Sequence, residues 1–309
     1  MVYYEPFYNA QAVVLENETI KATVLPDKGG KVASLIYKPK NFELLFQNPK
    51  GTFGQACITS RFEDFEACGF DDAFPSIEKG VVRLGGRDIR YPDHGEVWSA
   101  PLACEADSEC IKLSFHSSIL GYSYLKRLRL AKDGLECSYA ILNQGEEPFP
   151  YIWAFHCLVN YEEDMHLLFP DGTAQVVNVM HSQRLGGAGS AYAFPCLADA
   201  KGEVYDFTRV PAAASKSCEK YYVLGKVSQG SCGYYYPSKQ VTARIEYDQA
   251  KLPYLGFWVT AGGFRGDYNC ALEPATGFYD SIETAVENHA VSYLHPGETL
   301  NFDIRLSLF

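Results

Sequence analysis

Hydrophobic and polar residues alternate with a period of two along much of the chain. Ile111-Lys112-Leu113-Ser114-Phe115 and Val241-Thr242-Ala243-Arg244-Ile245-Glu246-Tyr247 alternate cleanly, and Leu125-Lys126-Arg127-Leu128-Arg129-Leu130 does so in part. Successive side chains of an extended strand point to opposite faces, so the pattern predicts half-buried strands. Asp133-Gly134 leads from the last of these into Leu135-Glu136-Cys137-Ser138-Tyr139-Ala140-Ile141. Two β-like runs around Asp-Gly predict a hairpin. Near the end, Val291–Leu294 and Leu300–Leu306 flank His295-Pro296-Gly297-Glu298. Pro-Gly at that turn suits type II geometry, because glycine accepts a positive φ. One short helix is signalled: Asp280, ahead of Ser281-Ile282-Glu283, reads as its cap with a glutamate three residues on. Regularly spaced strands with turn punctuation predict a sandwich or barrel.

Two stretches break the plain alternation by carrying a polar group inside an apolar run. Tyr151-Ile152-Trp153-Ala154-Phe155-His156-Cys157-Leu158-Val159 reads as a buried strand. Tyr151, Trp153, Phe155, Cys157 and Val159 share one face, taken as the core. Ile152, Ala154, His156 and Leu158 share the other. Further on, Leu255-Gly256-Phe257-Trp258 begins an apolar strand, a glycine-rich loop follows, and a second short strand leads to Glu273-Pro274-Ala275-Thr276-Gly277. Asn269, Ala271 and Glu273 alternate with Cys270 and Leu272, so one face of that strand holds the carboxylate. A carboxylate on a strand is held at fixed geometry, as a general base requires. A second histidine, His94, lies in Tyr91-Pro92-Asp93-His94-Gly95-Glu96. Pro92 and Gly95 bracket it, which predicts a turn, a common setting for functional side chains.

Taken together, these segments resemble the aldose 1-epimerase (galactose mutarotase-like) family across most of the chain. Leu25-Pro26-Asp27-Lys28-Gly29-Gly30-Lys31-Val32 resembles its opening hairpin. Phe74-Pro75 with Pro92-Asp93-His94-Gly95 resembles its first-histidine segment, and Phe155-His156 its second-histidine strand. Tyr254-Leu255-Gly256-Phe257-Trp258 with Leu272-Glu273-Pro274 resembles its catalytic-glutamate segment. The resemblance implies an all-β fold, a large antiparallel β-sandwich (the galactose mutarotase-like supersandwich) with few short helices, in a single domain over residues 1–309. It implies a concave face that holds a sugar. Two departures stand out. Ser76-Ile77-Glu78 occupies the stretch where family members often carry a substrate-binding arginine, for which Arg61 or Lys79 is the candidate replacement. The family's additional substrate-binding aspartate has no clear match.

The resemblance assigns chemistry as well. Exchange of α and β anomers needs the hemiacetal to open: a base takes the C1 hydroxyl proton and an acid protonates the ring oxygen. The aldehyde then rotates and recloses. Glu273 is expected as the base and His156 as the acid, since imidazole exchanges protons near neutrality. His94 is expected to bind the ring oxygen or a neighbouring hydroxyl, with Asp72 and Arg61 as further substrate ligands. No metal and no organic cofactor is expected, although two histidines and a glutamate also fit a metal facial site. Phe70, Phe74 and Trp258 are the aromatic candidates for sugar contact. His116, His166, His181, His289 and His295 fall outside these segments and read as structural or surface residues. The alternatives are a hexose-phosphate mutarotase and a non-catalytic carbohydrate-binding protein on the same fold.

Composition narrows the partners. The chain has 309 residues and a net charge of −11, which disfavours nucleic acid and anionic membranes as partners. The N-terminus has no basic, apolar signal-peptide pattern, and no uncharged apolar run approaches the ~20 residues of a membrane span. The ten cysteines form no C-x-x-C pair; they read as reduced thiols of a cytoplasmic protein. The 22 tyrosines and 19 phenylalanines read mainly as strand and core residues, because sheets favour aromatics.

Overall fold

A computed structural model describes residues 1–198 and 204–309. It is built of antiparallel sheets, of which the two largest have 13 and 8 strands. The alternating segments form strands where expected. Val241–Tyr247 is one strand, and Tyr122–Ala131 pairs with Gly134–Asn143 as the Asp-Gly hairpin. These belong to the 8-stranded sheet, together with Cys110–His116 and the C-terminal strand Thr299–Leu308. The strands either side of His295–Glu298 do not pair with each other: Ser292–Leu294 pairs with Phe149–Tyr151, whereas Thr299–Leu308 enters the 8-stranded sheet. Gly297 has φ 75° there, as the Pro-Gly turn requires.

The two large sheets pack face to face over one continuous apolar core. Trp153, Phe155, Cys157 and Val159 are buried in it, with Ile111, Leu113, Leu128 and Tyr139 of the smaller sheet. The expected division of faces therefore holds. The Tyr151–Val159 segment is interrupted, forming strands at Phe149–Tyr151, Ala154–Cys157 and Val159–Asn160. None of the ten cysteines is in a disulfide. No helix among the described residues is long and apolar enough to cross a membrane.

A polar bridge runs through this core. The Phe70–Ala73 strand sits in the 13-stranded sheet and pairs with the His156 strand. Asp72 points from it into the core, where Lys126 Nζ lies 2.7 Å from Oδ2 and the Tyr139 hydroxyl donates to Oδ1 at 2.9 Å. Both charged side chains are fully buried, and the Lys126 ammonium also lies 4.1 Å from the Phe70 ring centre. The expectation that Asp72 binds substrate is thus corrected. Phe70, Asp72 and Phe74 share the core side, so Asp72 faces away from the sheet surface that carries His156. Phe70 and Phe74 are core residues for the same reason.

Strand register builds the outer face of the large sheet. Ala154 pairs with Ala275, and Val159 with Cys270. Both pairs hold one register, which sets His156 opposite Glu273. On its other side His156 pairs with Asp71. Glu273 pairs with Gly256, and Gly256 with Tyr222. One row of side chains across the sheet therefore runs Asp71, His156, Glu273, Gly256, Tyr222. The next row carries Leu158, Ala271, Trp258 and Lys220, the last two also paired directly. Cross-strand neighbours share a face, so both rows lie on the side away from the core.

Candidate active site

A cavity of about 340 Å³ opens on that outer face. Its floor comes from the sheet: His156, Leu158, Lys220, Trp258 and Asn269. Its walls come from loops that carry Phe62, Ile77, Glu78, Asp93, His94, Phe264 and Asp280. The volume lies in the range of small-molecule sites.

His94 is positioned by its turn. It adopts φ 56° and Gly95 φ 76°, a left-handed pair that costs about 1–2 kcal/mol at a non-glycine residue. The turn is clamped against the Phe74–Ile77 segment: His94 N donates to Ile77 O at 2.6 Å and Glu96 N to Phe74 O at 2.8 Å. A Cβ on Gly95 would lie 1.9 Å from Phe74 O, so only glycine fits this close approach. Asp93 then fixes the ring. Its Oδ1 lies 2.9 Å from His94 Nδ1, and its Oδ2 accepts from Phe62 N at 2.8 Å. Trp98 Nε1 donates to the Asp93 carbonyl at 2.7 Å. Burial pulls the Asp93 carboxyl upward, but the bond and charge of His94 and the Phe62 amide outweigh it, and its pKa ends below the usual value. Phe62 stacks on His94 with ring centres 4.0 Å apart.

The two histidines meet in the cavity, with ring centres 5.2 Å apart at 75°. His156 is 7% exposed. Its Nδ1 is sealed off without a hydrogen-bond partner, which leaves Nε2 as the atom the ring offers to the cavity. Burial, with His94 and Lys220 adding to it, pushes the His156 pKa well below the ordinary imidazole value. The ring is therefore neutral at physiological pH. The sequence expectation of a histidine titrating near neutrality is corrected to a neutral imidazole that gives an N–H.

Glu273 stands opposite His156 but leans the other way. Gly256, its cross-strand partner, has no side chain, and a Cβ there would come within 3.4 Å of Glu273 Oε2. Lys220 Nζ lies 2.8 Å from that oxygen and 3.2 Å from Asp280 Oδ2. Both carboxylate oxygens are sealed from solvent, with the Lys220 ammonium as the charged group beside them. Glu273 is 1% exposed and lies beneath the cavity floor rather than on it. Burial raises its pKa; Lys220 opposes this and Asp280 adds to it. Lys220 is held as an ammonium by Asp280 and Glu273 in spite of its burial. The Tyr222 hydroxyl donates to Asp280 Oδ1 at 2.7 Å.

The structure thus brings His94 and His156 into one cavity, with Glu273 in the same row directly below. Arg61 is not among the groups that line it. Phe62 turns inward and Arg61 outward, where it is 59% exposed and pairs with Glu63 and Asp64. It lines a separate surface groove with Lys79 and Arg90, so its expected contact with substrate is corrected. Trp258 does line the cavity, its Nε1 donating to Asn269 Oδ1 at 3.1 Å.

Sequence reading missed Lys220, Asp280 and Phe62. Lys220 carried a signal: with Glu219 it leads into the apolar run Tyr221-Tyr222-Val223 of the strand Cys218–Val223. Asp280 was read as the helix cap. The cap is Ser281, whose hydroxyl accepts from Thr284 N, and the helix spans Ile282–Glu287; Asp280 is thereby free to face Lys220.

Comparison with solved structures identifies the fold. A galactose mutarotase-like protein from Clostridium acetobutylicum superposes with a TM-score of 0.75 at 15% identity, covering 100% of this chain and 98% of that one. A galactose mutarotase-like protein from Lactobacillus casei gives 0.71 at 17% identity, with 96% and 100% covered. A galactose mutarotase related enzyme from Lactobacillus acidophilus gives 0.71 at 13%, with 100% and 97% covered. The chain has the galactose mutarotase-like fold. No protein-family model matches the sequence, and no curated protein does.

Proposed function

We propose that the protein interconverts the α and β anomers of an aldose by acid/base ring opening. The observation that carries this reading is the convergence of His94 and His156 on a monosaccharide-sized cavity, with Glu273 in register beside His156. In the forward direction Glu273 takes the proton of the C1 hydroxyl. A buried carboxylate with a raised pKa is the stronger base for it. His156 holds the ring oxygen through its Nε2–H as the C1–O bond opens, and that hydrogen bond stabilises the developing alkoxide until it re-attacks C1 and Glu273 returns the proton to the C1 oxygen. A neutral imidazole can serve this way, since it polarises an oxygen through its N–H. His94, fixed by Asp93, holds the ring oxygen or the adjacent hydroxyl. Trp258 offers an apolar face to the ring. For Glu273 to reach the substrate, the Lys220 ammonium must swing aside or bridge the carboxylate to the C1 oxygen.

The covered position of Glu273 favours one second reading, a non-catalytic carbohydrate-binding protein. Anomer exchange followed by NMR over a panel of free aldoses separates the two. The wild type should accelerate exchange, and Glu273→Gln should slow it by at least ~10²-fold, the low end of what a positioned base contributes. Near wild-type exchange by that variant would overturn the mechanism. Tight sugar binding without exchange by the wild type would establish the binding protein.

A further inference from the structure

The carboxylate assigned as base does not itself reach the cavity. Both oxygens of Glu273 are sealed from solvent. Glu273 is not among the residues that line the cavity, whereas Lys220 is. Lys220 Nζ lies 2.8 Å from Glu273 Oε2, so its ammonium stands between the carboxylate and the cavity. It is the one lysine or arginine among the lining residues. A sugar seated on the two imidazoles therefore meets Lys220 before it meets Glu273.

The ammonium is held from two sides. Asp280 Oδ2 lies 3.2 Å from Nζ, and the Tyr222 hydroxyl donates to the other oxygen of Asp280 at 2.7 Å. The Lys220 side chain is almost wholly buried. Swinging it aside would leave Glu273 as a buried charge without a partner, a costly state. An ammonium has three N–H donors. Two carboxylates account for two of them, and the third remains for a ligand in the cavity. Against the effect of burial, the charges of Asp280 and Glu273 keep the group protonated at rest. A buried lysine can still pass a proton to a touching carboxylate, because the neutral pair that results carries no charge to solvate. A guanidinium in its place could not, since arginine does not deprotonate in proteins.

We propose that Lys220 is a catalytic proton shuttle, its Nζ touching the C1 oxygen of the sugar and relaying the hydroxyl proton to Glu273. Nζ gives one proton to Glu273 Oε2 and in the same step takes the proton of the C1 hydroxyl. The electrons of that O–H bond form the C1=O double bond. The C1–O bond of the ring breaks, and its electron pair goes to the ring oxygen, which the Nε2–H of His156 holds. The site is then left with a protonated Glu273, a sugar alkoxide and a Lys220 ammonium whose charge balances the alkoxide. Asp280 keeps that ammonium paired once Glu273 is neutral. Ring closure runs the same transfers backward. This rests on the anomer-exchange reading and shows how a covered base can serve it.

The test is NMR anomer exchange over a panel of free aldoses that includes glucose and galactose, followed by urea denaturation of each variant. Lys220→Arg keeps the charge and both carboxylate contacts but cannot relay a proton. It should fold, hold KM near the wild-type value and lose at least ~10²-fold in kcat, the low end for a positioned proton-transfer group. Lys220→Ala should be as slow, and added methylamine should restore at least ~10-fold of its rate where guanidinium restores none. The wild type itself supplies a readout that needs no variant: its rate in mixtures of H2O and D2O should fall along a bowed curve, because two protons move in one step. A straight line would mean that one proton moves, and the shuttle would be overturned. Near wild-type kcat in Lys220→Arg, or equal rescue by guanidinium and methylamine, would overturn it too, since charge alone would then suffice. Both results leave anomer exchange standing. If the wild type accelerated exchange of no sugar in the panel, the proposed activity would fail and the shuttle with it.

Discussion

At the scale of single residues, burial decides what each candidate group can do. His94 and His156 lie in contact, yet their settings differ: His94 has a carboxylate on its Nδ1, while the Nδ1 of His156 has nothing. The buried ring of His156 resists protonation in the folded state, whereas the unfolded chain takes up a proton near pH ~6.5. Below that pH the unfolded state binds more protons than the native state at this position. The contribution of His156 is therefore fully present above pH ~6.5 and is lost as the pH falls toward the depressed native pKa. One such proton weakens folding by at most about 1.4 kcal/mol per pH unit. Urea unfolding of the wild type and of His156→Asn at about pH 7.5 and about pH 5.5 should show the wild type losing more stability on acidification than the variant. Equal losses would mean that His156 titrates normally in the folded protein. The identities of His94, His156 and Glu273 were legible in the sequence because each sits in a distinctive local context. The shifted proton affinities of His156 and Glu273 were not, because they follow first from burial and then from neighbours such as Lys220, which the chain brings in from other strands and loops.

At the scale of elements, the period-two pattern placed the face of nearly every strand that matters to the site. It put Trp153 inward and His156 outward, as found. Trp153 is fully buried and packs edge-on against Tyr139 and Phe302 of the opposing sheet, with ring centres 5.0 and 4.7 Å away. Trp153→Ala should therefore cost ~3–5 kcal/mol, as large aromatic truncations in a core do. A wild-type denaturation midpoint for that variant would mean the strand's inward face carries little of the packing. The same pattern also held the answer for Asp72. Phe70 and Phe74 flank it two residues away on either side, so strict alternation assigns Asp72 to the apolar face, where Lys126 reaches it from the second sheet. The helix start shows a different limit. Asp280 and Ser281 are both good caps, and the choice between them follows from Lys220 and Tyr222 claiming Asp280, a tertiary contact that local sequence does not report.

At the scale of the whole molecule, the sandwich divides its labour between two faces of one sheet. The outer face carries the cavity, and the inner face carries the core that holds the sheet's register. Asp72 and Lys126 join the two sheets at the strand next to His156, so any slip of this pair would also shift the site. A buried ion pair of this kind gains little over apolar residues of similar shape, because desolvating both charges offsets their attraction. Removing one partner is another matter, since it strands the other charge where water cannot reach it. Asp72→Asn should therefore destabilise the protein by roughly 3–5 kcal/mol, and Lys126→Met by a similar amount. The double replacement Asp72→Leu with Lys126→Met should be much closer to the wild type than either single change, since neither charge is then left alone. The Tyr139 hydroxyl, which loses its acceptor in the double variant, sets a residual cost of about 1–3 kcal/mol. Urea denaturation of the four proteins at neutral pH measures this directly. Were the double variant weaker than both singles, the pair would be a net source of stability rather than a device of register. Because Asp72 faces away from the cavity, the folded fraction of Asp72→Asn should match the wild type in the proposed anomer exchange, whereas a substrate ligand at this position would show a raised KM.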